Sequence, residues 1–269
     1  MTATAPPATP PQAGPPRQEP THGAPRRWVR GARYALTPGV LVLVLVSLYA
    51  YVSAQQLDRI EQRSLNAAYL ASRVVKHIEL TAVVATLVLV IAVPLGILLT
   101  RPFARRIVAP VLAVANIGQA VPSLGLVILL VVTFLTLGVN QIAVIAFVVY
   151  GLLPVLRNTM VGLQQVDRSV LEAARGVGMN RVRVLLWIEL PLAVPVILAG
   201  VRTTLIITVG TVTLATFVGA GALGDVISSG IASNRQTVLV TGSVLVAVLA
   251  LLVDWLACIA ENALRPRGL

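Results

Sequence analysis

Apolar residues gather into long runs separated by short basic or glycine-rich segments. Five runs stand out, at 34–54, 80–100, 142–156, 192–218 and 238–259. At 1.5 Å per residue, a helical run of about 20 residues crosses the ~30 Å hydrocarbon layer of a bilayer. A sixth, weaker run covers 108–121 and 124–137. Asn116 and Gln119 interrupt its first half, and Pro122-Ser123-Leu124-Gly125 divides it. Proline removes a helical hydrogen bond, so the pattern predicts one span broken at Pro122. Pro94 in the second run predicts a kink, which membrane bundles tolerate where neighbours satisfy the freed carbonyl. The expectation is an all-α integral membrane protein with about six transmembrane helices.

The polar segments set the organisation. Residues 1–33 are Pro-rich and carry no apolar periodicity, so they read as a disordered tail. The tail turns basic at Arg26, Arg27, Arg30 and Arg33, just before the first span, 34–54. Val52-Ser53-Ala54 fits the small residues of a signal-cleavage site. The run is longer than a usual signal core, which favours a retained helix. A mixed-charge linker follows at 55–78, then a core at 79–260 and a basic tail at 261–269. Arginines concentrate in the first tail, at 101–107, at 157–183 and in the last tail, whereas 138–140 and 219–236 are nearly free of basic residues. Cytoplasmic loops carry excess Lys and Arg, so both termini are expected inside. The linker 55–78, with basic residues of its own, fits that rule least well.

Composition narrows the classes. The chain is 57% hydrophobic, 12% charged and only 4% aromatic, whereas soluble domains are about one-quarter charged. Its net charge of +11 lies between apolar runs and serves membrane orientation, with no nucleic acid implied. A lone cysteine, Cys258, and two histidines, His22 and His77, give no disulfide framework and no metal cluster. No phosphate loop, HExxH pair or Ser/His/Asp set is present, so no catalytic residue is assigned. An ion-coupled secondary transporter would be expected to show repeated halves and several intramembrane acids. This chain has Asp254 and no second half.

The segment 157–190 is the longest polar stretch among the spans. Ser169-Val170-Leu171-Glu172 has capping-box spacing, and Val170, Leu171, Ala174 and Val177 recur on one helical face, opposite Glu172 and Arg175. Gly176 and Gly178 suit a helix C-terminus. Asn180 can cap a second short helix, 181–190, stopping at Pro191. Periodicity leaves two readings: a helix–turn–helix projecting a surface from the membrane, or an ordinary interfacial loop.

The string Glu172-Ala173-Ala174, then Gly178, Ile188 and Leu190-Pro191, resembles the "EAA" signature of permease subunits in binding-protein-dependent ABC importers, at every fixed position. Other stretches resemble the branch serving quaternary-ammonium osmoprotectants: Asn116-Ile117-Gly118-Gln119-Ala120-Val121-Pro122-Ser123, Leu153-Pro154 with Arg157-Asn158-Thr159, and Val218-Gly219-Ala220-Gly221-Ala222-Leu223-Gly224. The similarity covers roughly 70–265. Ala222 departs from it, since the family often has Gly there, and the first tail and first span exceed its shorter members. The resemblance implies a type I, MetI-like bundle with a coupling helix within 168–190. It also implies a cytoplasmic ATPase that binds the ATP, an extracytoplasmic solute-binding protein, and a second permease copy or a related permease. No cofactor is implied on this chain. Glycine betaine, choline, carnitine or proline betaine is the implied solute class, with methionine or another amino acid as the alternative. No quaternary-ammonium cage can be derived from so few aromatics.

Polar residues in the spans are candidates for a pathway or gate. They are Asn116, Gln119, Pro122, Ser123, Asn158, Thr203, Thr204, Thr208, Thr211, Thr213 and Thr216, joined by Gly219, Gly221 and Gly224, and Pro94 and Pro122 are open to acting as hinges or as packing kinks. Thr204, Thr208 and Thr211 share a face at i, i+4, i+7 and are the expected pore lining. Membrane-helix hydroxyls also commonly bond back to their own backbone. Arg202 and Asp254 are open to gating or to pairing. Trp187 and Trp255 are expected at bilayer boundaries.

Overall fold

The computed structural model describes residues 27–264; the preceding tail, His22, Arg26 and residues 265–269 lie outside the described residues. Every regular element among the described residues is helical. Helix α1 spans Arg27–Ser53, so the stretch 27–33, expected as tail, is helical. A one-turn helix α2, Arg59–Ser64, is closed by a reciprocal capping box between Asp58 and Glu61.

Helix α3 runs Ala67–Leu99, capped by the Asn66 carboxamide on the backbone N–H of Ala68 and Tyr69. This corrects the linker expected at 55–78: residues 67–78 are the first turns of α3. The helix is 33 residues long, about 50 Å at 1.5 Å per residue, so it exceeds the ~30 Å apolar layer. Its first four turns can therefore carry Arg73, Lys76 and Glu79 without placing them at bilayer depth. That is why a hydropathy reading begins the span late.

Helices α4 (Arg105–Ala120) and α5 (Ser123–Thr133) are separated by Val121-Pro122 and meet at a bend of 100°. Helix α6 (Val139–Gln164) is the hub, packed against α3, α4, α5 and α9. It extends eight residues past the apolar run at 142–156 because its last turns rest on α9. Among the described residues, five helices are long and apolar enough to cross a membrane, and the bent α4–α5 pair supplies a sixth span if counted as one.

Beyond α6 come α7 (Arg168–Gly176) and α8 (Arg181–Val184), then a π-helical turn, Leu185–Glu189, leading directly into α9 (Leu190–Val212). The second short helix does not stop at Pro191; 181–218 is helical throughout. Pro191 has no N–H, and its ring would clash with the carbonyl four residues back. The wider turn accommodates this, with the Leu190 N–H reaching Leu185 O.

Helix α9 tightens into a 3-10 turn, Thr213–Val218. The supposed Gly-rich link then contains α10 (Gly224–Ala232) before α11 (Gln236–Leu264). Helix α11 packs on α9 and α10, and α1 lies against α11 at the periphery.

Small residues let the central helices approach closely. A Cβ on Gly96 would stand 2.7 Å from Thr159, one on Gly200 2.7 Å from Asn158, and one on Gly151 2.9 Å from Thr204. The loop from α9 to α10 has left-handed backbone at Gly219 (φ +74°), Gly221 (φ +89°) and Ala222 (φ +79°). Ala222 is wholly buried. A left-handed L-residue costs roughly 1–2 kcal/mol, so glycine is the less strained choice at this position. Ala222→Gly removes that strain but adds unfolded-state freedom of about 0.4–1 kcal/mol. We expect a net gain, read as a higher thermal midpoint in detergent; an unchanged or lower midpoint would refute the strain argument.

Candidate functional site

The segment after α6 forms a built platform. Asp167, not Ser169, is the N-cap of α7: its carboxylate accepts the Ser169 N–H at 2.9 Å. The same Ser169 contacts hold the Asp167 carboxyl below its ordinary range. The expected Ser169–Glu172 capping box does not form: the helix starts two residues earlier, at a single side-chain cap from Asp167.

The C-terminus of α7 is a Schellman motif. Gly178 takes φ +88°, its N–H bonds to Arg175 O, and the Met179 N–H bonds to Ala174 O at 3.1 Å. No atom lies within 4 Å of a Cβ built on Gly178, so backbone conformation alone requires glycine there. Asn180 then caps α8 through the Arg183 N–H at 2.8 Å.

Between these caps, α7 rests on α8 and the π turn. Ala174 is buried and Leu171 half-buried, whereas Val170, Glu172, Ala173, Arg175 and Val177 are exposed. The apolar stripe is thus split: Leu171 and Ala174 hold the helix down, and Val170 and Val177 face outward. Among the described residues, Glu172 has no hydrogen-bond or ion-pair partner. Ile188, Leu190 and Pro191 are half-buried where the π turn joins α9. Trp187 is 74% exposed beside them.

One contact at this platform has no signal in the sequence. The Arg101 guanidinium, just past the end of α3, forks onto the Glu189 carboxylate at 2.6 and 3.3 Å. The Glu189 side chain is only 7% exposed. Its partner lies 88 residues away, beyond any local spacing rule.

Most pathway candidates prove to be bonded already, some to another helix and as many back to their own. Thr204 and Thr208 are buried at 2% and 1% exposure, and the Thr204 hydroxyl donates to Gly151 O of α6 at 2.8 Å. Of the face expected to line the pore, Thr204 and Thr208 both point into the α6–α9 contact. Thr211 and Thr213 donate back to their own helix, as does Thr203. Asn158 donates to Pro154 O, and Gln119 reaches across to Tyr150 O at 3.2 Å. Asn116 accepts from Arg157 at 2.8 Å, joining α4 to the end of α6. Arg202 is paired, through two contacts to Asp254 at 2.5 and 2.9 Å and a looser one to Glu261 at 3.9 Å.

Pro122 and Ser123 form the α4–α5 corner. Thr213, Thr216, Phe217, Gly224 and Ser228 come together around a mainly apolar cavity of about 350 Å³ at the far end of α9. Trp255 is half-buried on α11.

His77, expected in a linker, is wholly buried. Its Nε2 lies 2.9 Å from Val209 O and its Nδ1 accepts the Leu223 N–H at 3.4 Å, so the ring bridges α3, α9 and the glycine loop as the Nε2–H tautomer.

Residues 92–266 match the family model described as the binding-protein-dependent transport system inner membrane component. The chain belongs to that family. Among curated relatives, the choline transport system permease protein of Bacillus subtilis (strain 168) is 36% identical over 205 residues, covering 76% of this chain and 92% of the relative. The osmoprotectant import permease protein of Salmonella typhimurium is 35% identical over 216 residues, 79% of this chain and 100% of the relative. The permease of the MetNI methionine ABC transporter in its inward-facing form superposes with a TM-score of 0.64 at 25% identity. That match covers 73% of this chain and 96% of the solved one. The protein is a multi-pass inner-membrane permease with the MetI-like bundle; the family match runs from the last turns of α3 through α11, and α1 lies before it.

Proposed function

We propose that this permease is the membrane subunit of an ATP-driven importer of quaternary-ammonium osmoprotectants of the choline, carnitine and glycine betaine class. In this reading α7 is the coupling helix on the cytoplasmic face. The observation that carries it is the platform itself: a Schellman-closed helix offering unpaired Glu172 and exposed Ala173, seated through Ala174 on an element continuous with the span α9. A partner ATPase binds and hydrolyses ATP, and this chain contributes no catalytic group or cofactor. A solute-binding protein delivers the solute on the opposite face, and a second copy or related permease completes the pore. The names of the relatives support the solute class.

Parity supports the orientation. With α4–α5 as one bent span, the arginine-rich 101–106 and the platform fall on one side, together with both termini, as the positive-inside rule requires. If the pair were re-entrant, those two basic segments would lie on opposite sides. ATP-driven closure of the ATPase would move α7 and its attached spans as rigid bodies, giving alternating access.

Reconstitution with its partner ATPase and solute-binding protein tests the reading. ATP turnover is expected to rise with choline, carnitine or glycine betaine and not with methionine; the reverse ranking would overturn the solute class. Glu172→Ala is expected to weaken ATPase co-purification with membrane insertion unchanged. Gly178→Ala, which strains a left-handed site by roughly 1–2 kcal/mol, should impair uptake more than Gly178→Asn, since Asn tolerates that conformation. Normal ATPase binding in Glu172→Ala and Gly178→Ala would remove α7 from the interface.

A further inference from the structure

We propose that the Arg101–Glu189 pair is the strut that carries motion from the coupling helix into α3; this rests on α7 docking to an ATPase. Of the six ion pairs among the described residues, it alone ties the platform to another helix. Its two ends occupy mechanically chosen places. Arg101 is the first residue past the α3 C-cap, Thr100, and its Nε also lies 3.3 Å from Ile97 O, so the guanidinium is fixed to the last turn of α3. Glu189 is the last residue of the π turn, immediately before Leu190-Pro191.

A π turn is a single wider turn inside a helix, found frequently at functional sites. Left alone, it would let α7 and α8 tilt against α9 while the end of α3 stayed still. The bidentate pair removes that freedom, because a planar fork fixes orientation as well as distance. Burial strengthens the constraint, since a carboxylate 7% exposed finds no adequate substitute in water if the arms separate. Helix α3 in turn packs on α6 and α9. Displacing its end therefore moves the bundle core, where Gly96 meets Thr159. The pair acts on position; neither residue is assigned contact with solute or ATP.

The test uses the full complex in proteoliposomes, with nitroxide labels at exposed Phe103, beyond α3, and at Arg175 on α7, in a Cys258→Ser background. Each label is measured against a reporter on the ATPase, with and without ATP and vanadate, and uptake of labelled choline and glycine betaine is followed in parallel. In the otherwise native complex both labels are expected to shift with nucleotide. In Glu189→Gln and Arg101→Gln the α7 label shifts and the α3 label does not. Solute moved per ATP then falls by about tenfold, within the range usual for coupling between sites. ATPase co-purification stays near native, while the thermal midpoint falls, more in Arg101→Gln, which leaves the buried Glu189 carboxylate unpaired, than in Glu189→Gln, so all readings are taken below each variant's midpoint. The exchange Arg101→Glu with Glu189→Arg restores part of the coupling. Movement of both labels in Glu189→Gln, or unchanged solute per ATP in both single variants, overturns the strut. Loss of ATPase binding in the single variants also overturns it, by making the pair part of the docking surface. Failure of the native complex to bind ATPase at all is a different result, which removes the proposed function and the strut with it.

Discussion

Gly224→Ala is expected to yield little or no stably folded protein. A Cβ at that position would lie 1.9 Å from the Thr213 carbonyl oxygen and 2.8 Å from its carbon. Both are backbone atoms of the 3-10 turn that ends α9, so no rotamer change relieves the overlap. Separation to ordinary contact requires more than 1 Å of movement between α9 and α10, in a region where Ala215, Ala220, Ala222 and Leu223 are all buried. Overpacking that only displaces side chains costs roughly 1–3 kcal/mol. A clash between main chains belongs with the exceptional losses above about 4 kcal/mol. Gly210→Ala is the matched control: it lies in α9 with no atom within 4 Å of a built Cβ and no left-handed φ, so it should be neutral or slightly stabilising. Yield and monodispersity after detergent extraction, with the thermal midpoint, distinguish the two. A well-behaved Gly224→Ala protein would mean that the α9–α10 contact is looser than described.

The contrast between Gly224 and Thr204 shows what could be read along the chain. Apolar runs announce spans because the bilayer demands them, and left-handed turns announce themselves through glycine. The spans, the break at Pro122, the Gly178 turn and the Asn180 cap were therefore legible. The partner of a polar side chain is not a local property. Thr204, Thr208 and Thr211 share a helical face, but nothing in their spacing reveals that α6 brings Gly151 close enough for the Thr204 hydroxyl to reach its carbonyl. Arg202 could not be assigned between gating and pairing until α11 placed Asp254 against it. Window hydropathy also errs where a helix outruns the membrane, as at 67–78. The π turn before Pro191 escaped because a proline is read as a stop, when one extra residue in the turn before it serves as well.

His77→Leu is expected to be the most damaging change that leaves side-chain size nearly unaltered. The imidazole satisfies two buried backbone groups at once: Nε2–H donates to Val209 O at 2.9 Å, and Nδ1 accepts from Leu223 N–H at 3.4 Å. Val209 and Leu223 are both fully buried, so no water can replace the ring. An unsatisfied buried group costs about 1–3 kcal/mol, so the loss of both partners predicts roughly 2–6 kcal/mol. His77→Gln offers a donor and an acceptor on a flexible chain in place of a rigid ring and should recover part of this. The thermal midpoints should rank native above Gln above Leu, and a Leu variant as stable as the native chain would refute the bridge. The consequence reaches past stability. The bridged carbonyl sits one turn before the 3-10 segment, and the bridged N–H belongs to the residue between Ala222 and Gly224, where the loop must turn into α10. Holding both from α3 fixes the place at which α9 changes pitch. Uptake should therefore fall in His77→Leu even at temperatures where the protein remains folded, because the far end of α9 no longer moves as one body with α3.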